Sequence, residues 1–341
     1  MNAFPPSPAS WPFAKGHGCE NSFLLLPDPD NHLVLRPADV RRLTDLHTGA
    51  GADGILRAVR TAADPEAAGM AGEAEWFMDY RNADGSLGAM CGNGIRVFAR
   101  YLIEAGLTTT GVFTVATRAG LRRVHTDRTG GPISVDMGRP RFPGPDRLTI
   151  YADGHRWAAT HVDIGNPHAV TFVQHPTDAG ALHAAPTAHP ANAFPEGFTT
   201  EFVTVLGPHH LALRVHERGV GETRACGTGA CAAVAAYRLR TRQMRPADYR
   251  VDLPGGQLGV TVHASGRITL TGPAHITAHG TLNGLPTPRP ASDLKDDRPG
   301  RPQAALVPRV GAPLHSLPDS PDRAAPHCLD CVFRFPQSLE A

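Results

Sequence analysis

The chain holds 341 residues, 41% of them hydrophobic, with 33 Lys plus Arg against 32 Asp plus Glu. At roughly 100–200 residues per domain this length suits about two domains, and the net charge of +1 gives no basic surplus of the kind that holds nucleic acid or an anionic membrane. No stretch reaches ~18 consecutive apolar residues, and the opening MNAFPPSPASWP lacks the basic flank and apolar run of a secretory leader, so the protein is expected in the cytoplasm.

Lysine is nearly absent: Lys15 and Lys295 are the whole complement. Pyridoxal phosphate is carried as a Schiff base on a lysine in a pocket, and with one lysine ahead of the first motif and the other in a Pro-rich stretch, no cofactor of that kind is expected. The six cysteines, Cys19, Cys91, Cys226, Cys231, Cys328 and Cys331, are too sparse for a disulfide framework.

In chain order, residues 1–12 carry Pro5, Pro6, Pro8 and Pro12 and read as a flexible arm. Strand-like runs follow at Phe23–Leu26, Glu75–Arg81, Val112–Thr117, Ala169–Val173, Phe202–Leu206, His210–His216 and Gly266–Leu270, separated by Gly, Pro and Asp clusters. Apolar residues at helical spacing predict one helix after Gly94 (Ile95, Val97, Phe98, Tyr101, Leu102) and another after Gly229 (Cys231, Val234, Tyr237). From Leu285 onward 11 prolines fall in 57 residues without apolar periodicity, which predicts a disordered tail over 285–341. The pattern is that of an α+β protein with mainly antiparallel sheets and a central helix per domain.

The chain also repeats itself. Met90-Cys91-Gly92-Asn93-Gly94 and Ala225-Cys226-Gly227-Thr228-Gly229 are both Cys-Gly-x-Gly turns opening the two predicted helices. Each follows a strand with a polar end, and upstream of each lies an Asn in a Gly-containing loop, Asn21 in one half and Asn166 in the other. The matching order favours two similar domains that face one another.

A cysteine at a helix N-terminus lies in the positive end of the dipole, among N–H groups without intrahelical acceptors. The glycines behind it let a ligand approach the backbone, so the turn can hold a carboxylate without a basic side chain. Two such turns place one sulfur on each face of the carbon bearing that carboxylate. A thiolate and a thiol so placed remove an α-proton from one face and deliver another to the opposite face. Either cysteine taken alone fits a buried packing thiol equally well; the duplication favours chemistry.

These residues resemble diaminopimelate epimerase, a cofactor-independent family allied to proline racemase. The resemblance spans about Phe13 to Gly284 and rests on Phe13-Ala14-Lys15-Gly16-His17-Gly18, Tyr80-Arg81-Asn82-Ala83-Asp84-Gly85-Ser86, the two Cys-Gly-x-Gly turns, Gly165-Asn166-Pro167-His168, and the run from Glu217 to Cys231. It implies two pseudo-symmetric domains, each a β-barrel-like sheet around a central helix, over 13–130 (with 272–284 returning to it) and 131–271, and an active site in the cleft between them. It implies an isomerase interconverting L,L- and meso-diaminopimelate for lysine and peptidoglycan synthesis, working as a homodimer with no cofactor and no metal.

By motif, Cys91 and Cys226 would be the acid/base pair, and Gly92, Asn93, Gly227 and Thr228 would hold the carboxylate at the reacting centre. Asn21 would line the site, while Asn82, Asn166, Glu217 and Arg218 would read the distal end of the substrate, Arg218 taking its carboxylate. His168 is either a proton relay or a residue satisfying a turn; Glu222 either supports the second turn or is a plain surface carboxylate. Two departures from the family pattern bear on substrate choice: Ser22 follows Asn21 where Asp is usual, and Thr199 stands where an Asn usually reads the distal end. A hydroxyl offers less than an amide, so a related amino-acid racemase or epimerase with altered distal specificity is the second expectation, and a non-catalytic binding paralogue the third. The Cys328-x-x-Cys331 pair in the tail supplies only half a structural zinc site.

Overall fold

The computed structural model describes residues 10–283, apart from 129 and 146. The expected tail and its Cys328 and Cys331 lie outside the described residues. Among those described, three α-helices are set among eighteen short strands in one continuous hydrogen-bonded system, confirming the α+β class with few helices. Every predicted strand-like run falls on a strand. The first strand, Trp11–Gly18, takes in two residues of the segment read as an arm, because Trp11 and Pro12 pair with Leu282 and Thr281 of the last strand, His275–Leu282.

Pairing is mainly antiparallel, but two parallel pairs shape the site. Asn21–Pro27 runs beside Gly54–Arg60 with Phe23 opposite Gly54, which brings the loop residue Asp53 next to Asn21 and Ser22. Pro167–Phe172 runs beside Thr199–Gly207 with His168 opposite Thr199 and Val170 opposite Glu201. The two halves thus meet the same need, a polar cluster at one end of a parallel pair, with different side chains.

Helix α1 (Pro37–Thr44) was not legible from periodicity. It is eight residues long with Pro37 in its first turn, and Arg36 and Asp39 close its N-terminus reciprocally; only Val40 and Leu43 supply its apolar face. Helices α2 (Gly92–Glu104) and α3 (Gly227–Thr241) are the predicted ones, each begun three residues earlier than the apolar spacing alone suggests. Strands Trp11–Gly18, Asn21–Pro27 and Ile133–Gly138 pack on α2; strands Pro167–Phe172, Thr199–Gly207 and His210–Glu217 pack on α3.

Enclosure explains both sequences. α3 is buried from Gly227 to Arg238 and rich in Ala, so it has no polar stripe to show, as expected of a helix covered on all sides. α2 is buried from Gly92 to Leu102 despite containing Arg96 and Arg100. Arg96 donates to Gly92 O at 2.8 Å, Asn93 Oδ1 at 2.9 Å and Pro273 O at 3.4 Å, and Arg100 donates to Ala274 O at 3.1 Å and to Gly131 O. The two guanidiniums tie α2 to the segment that leads into the last strand, and their hydrogen bonds offset the cost of burying charge.

Candidate active site

Cys91 and Cys226 are the N-caps of α2 and α3, both in extended backbone conformation. Each sulfur accepts a hydrogen bond from the N–H three residues on, Gly94 for Cys91 and Gly229 for Cys226, at 3.3 Å in both cases. First-turn N–H groups have no intrahelical acceptor, and each helix has its positive end at its cysteine.

The two ends abut. A Cβ on Gly92 would stand 3.1 Å from Gly227 Cα, one on Gly227 would stand 3.0 Å from Gly92 Cα, and both would meet Leu270. A Cβ at either position would crowd the facing backbone, which would have to give by a few tenths of an ångström. Asn93 Nδ2 spans the junction by donating to Ala225 O at 3.0 Å. The glycine after each cysteine is therefore required by the partner helix, and the repeat seen in the sequence is a contact in space.

Burial pushes the Cys91 thiol up to about 11, against the Gly94 N–H that favours the thiolate. Cys226 is raised well above the usual thiol value by burial and then by the charges of Glu217 and Glu201. Tyr80 is also raised, by burial first and then by Cys91 and Glu217. These five groups share one electrostatic neighbourhood, with Cys91 at its more open side and Cys226 only 6% exposed.

Three of the expected asparagines have amides oriented by a partner, and one of them, Asn21, touches Cys91. Asn21 donates from Nδ2 to Asp53 at 3.0 Å and turns Oδ1 towards Asn93 Nδ2 at 3.3 Å and Cys91 Sγ at 3.8 Å. Asn82 accepts from the Tyr80 hydroxyl at 2.5 Å and donates to Ser86 Oγ at 2.9 Å. Asn166 Oδ1 lies 3.0 Å from His168 Nε2, whose Nδ1 lies 2.6 Å from Glu201 Oε1. Glu217 accepts from Thr223 Oγ1 at 2.5 Å, and burial raises its carboxyl.

Arg218 donates from Nη1 to Glu196 O at 2.7 Å, and its N–H donates to Thr199 Oγ1 at 3.4 Å. The hydroxyl of Thr199, 5% exposed, is thus used on the Arg218 backbone. At the other departure, Ser22 turns both its N–H and its hydroxyl onto Asp53 Oδ2, at 2.7 and 3.3 Å. Glu222 is drawn away from the turn: Arg214 grips its carboxylate at two points, 2.6 and 2.9 Å. Cys19 and Cys231 are buried, Cys231 pushed up to about 12 by its surroundings.

Sequence reasoning passed over Asp53, Tyr80, Arg96 and Glu201. Glu201 had one legible sign, a carboxylate at the edge of the apolar run Phe202–Leu206, and Tyr80 stood two residues before Asn82 in a quoted block; Asp53 and Arg96 meet their partners only in the folded chain. Among the described residues no group of three or more His, Cys, Asp or Glu side chains is placed to hold a metal ion, and no helix is long and apolar enough to cross a membrane.

The architecture is that of the two-helix epimerase and racemase folds. It is similar to a hydroxyproline epimerase from Agrobacterium vitis with bound trans-4-hydroxy-L-proline, at a TM-score of 0.61 and 16% identity over 80% of this chain and 92% of that one. It is similar also to a PhzF-family phenazine biosynthesis protein from Bacillus anthracis, at a TM-score of 0.60 and 15% identity over 80% and 99%. Within that class the sequence is specific. The family model of diaminopimelate epimerase matches residues 13–143 and 160–277. The diaminopimelate epimerase of Streptomyces coelicolor is 52% identical over 276 residues, 80% of this chain and 95% of that one, and that of Thermobifida fusca is 48% identical over 274 residues, 79% and 97%. The chain belongs to the diaminopimelate epimerase family.

Proposed function

We propose that the protein interconverts L,L- and meso-2,6-diaminopimelate by proton transfer at one α-carbon between two thiols, without a cofactor. The abutment of two cysteine-capped helix N-termini across Gly92 and Gly227 carries this reading. Inversion demands one sulfur for each face of a carbon and backbone donors for the carboxylate that carbon bears, and two facing cysteine caps support that reading.

In this reading the α-carboxylate sits on the N–H groups of Gly92, Asn93, Gly227 and Thr228. The thiolate of one cysteine takes the α-proton, the electron pair passes into the carboxylate to give an enediolate held by the helix-end N–H groups, and the thiol of the other cysteine returns a proton to the opposite face. Sulfur roles exchange with direction. Closing the cleft on substrate removes water and strengthens those donors. Asn21 lines the site, Asn82, Asn166 and Glu217 hold the distal amino-acid end, and Arg218 takes its carboxylate. The two-domain division, a homodimer and a cytoplasmic place belong to the same proposal.

Thr199 favours a second reading, a racemase or epimerase of the same chemistry whose distal contacts differ, because its hydroxyl is committed to the Arg218 N–H. NMR in D₂O under reducing conditions separates the two, with L,L-diaminopimelate offered beside L-lysine, L-ornithine and L-glutamate. α-Exchange and inversion of diaminopimelate alone is the expected result. Turnover of another amino acid in its place would move the assignment to the second reading.

A further inference from the structure

We propose that Glu201 is a positioning residue that fixes, through His168, which face of the Asn166 amide is offered to the ligand; this rests on the proposal that Asn166 reads the distal end of the substrate. His168 and Glu201 are completely buried. One imidazole nitrogen of His168, Nδ1, lies 2.6 Å from Glu201 Oε1, and the other, Nε2, lies 3.0 Å from Asn166 Oδ1.

An amide oxygen only accepts, so Nε2 carries a hydrogen. Nδ1 and Oε1 then share one proton between them, whichever atom holds it, and a partner at Nδ1 is what keeps the second hydrogen on Nε2. With its oxygen taken by that N–H, Asn166 presents Nδ2, a donor with no protein partner among the described residues, to an acceptor such as a carboxylate. Without Glu201 the imidazole is free to move its proton to Nδ1, and the Asn166 amide to turn over and offer its oxygen. Glu201 is itself held in place. A Cβ on Gly229 would lie 2.7 Å from Oε1, so the carboxyl is wedged between His168 and the first turn of α3, and its Oε2 is buried without a partner.

The test compares Glu201→Leu with Glu201→Gln in the full-length enzyme. A glutamine amide donates to Nδ1 and keeps hydrogen on Nε2, so Glu201→Gln should stay within about threefold of the parent. Glu201→Leu should raise KM for diaminopimelate about tenfold, the worth of one well-made hydrogen bond, with a smaller change in kcat. An unchanged KM in folded Glu201→Leu, or equal damage in both variants, would overturn the proposal. ¹⁵N NMR of histidine-labelled, ligand-free protein, with His168 assigned by its loss in His168→Gln, reads the same point without turnover and without a variant at Glu201. Hydrogen on Nε2 of His168 is expected, and a neutral ring with hydrogen on Nδ1 alone would overturn it. That reading stands apart from the substrate assignment, which fails only if the parent enzyme leaves diaminopimelate unlabelled.

Discussion

The two cysteine turns have the same backbone and different surroundings. Each cysteine caps its helix, accepts from the N–H three residues on at 3.3 Å, and is followed by a glycine that touches the other helix. Beyond that the likeness ends. Cys91 is half-buried beside Asn21 and Asn93, and five residues along α2 stands the buried cation Arg96. Cys226 is buried beside the Thr228 hydroxyl at 3.4 Å with two carboxyls near it, and the position that matches Arg96 holds Cys231. The repeated backbone brings two cysteine-capped helix ends together; the unlike side chains decide which sulfur ionises first. Burial raises both and so does the Glu217 charge, but Glu201 adds to the rise at Cys226 while Arg96 and the Gly94 and Asn93 N–H groups oppose it at Cys91. Cys91 is therefore expected to ionise at lower pH than Cys226.

The harshest test of the pairing is to remove one sulfur. Cys91→Ala and Cys226→Ala should each lower the rate of inversion about 10³-fold, within the range that positioned acid–base groups contribute, with circular dichroism unchanged. Retention of normal inversion by either would break the symmetry of roles. Next, Gly92→Ala and Gly227→Ala should each lower kcat about 100-fold, because a methyl group 3.0–3.1 Å from the facing Cα displaces one helix end and so both sulfurs; equal effects from the two sides are expected.

The pH dependence sharpens the difference between the turns. The thiolate is the reactive form, so alkylation of Cys91 should keep rising with pH through 9 and level near 11, as its raised value requires. Cys226 should react more slowly at every pH, read by mass spectrometry of each peptide. Glu217→Gln should speed alkylation of both cysteines, since it removes the foremost charge that raises each. The smallest effect belongs to Glu222→Ala: its carboxylate sits on Arg214, and an exposed ion pair is worth about 0–1 kcal/mol, so kcat/KM should change less than about twofold.

The fold class was legible because strand runs punctuated by Gly, Pro and Asp survive as strands, and because α2 and α3 begin at marked turns. Helix α1 was not, for eight residues with two inward apolar side chains carry no period. The cysteines and the glycines behind them were legible as a repeat, although the sequence could not say that the glycines touch. The amide orientations were beyond its reach. Asp53 acts on Asn21 and Glu201 acts on His168 only because parallel strands bring them close, and Glu201 stood just outside the apolar run Phe202–Leu206. Glu222 shows the opposite limit: near in sequence to the second turn, it is claimed by Arg214 across the hairpin.

Two thiols on opposite faces of one carbon make a distinct isotopic prediction. L,L-diaminopimelate should be converted in D₂O and quenched early, and both stereoisomers analysed by NMR and mass spectrometry. With one sulfur taking protium and the other supplying deuterium, the meso product should carry one deuterium at the inverted centre while recovered L,L substrate stays largely unlabelled. Meso product that keeps the original protium would show a single group acting on both faces and would contradict the pairing of Cys91 with Cys226.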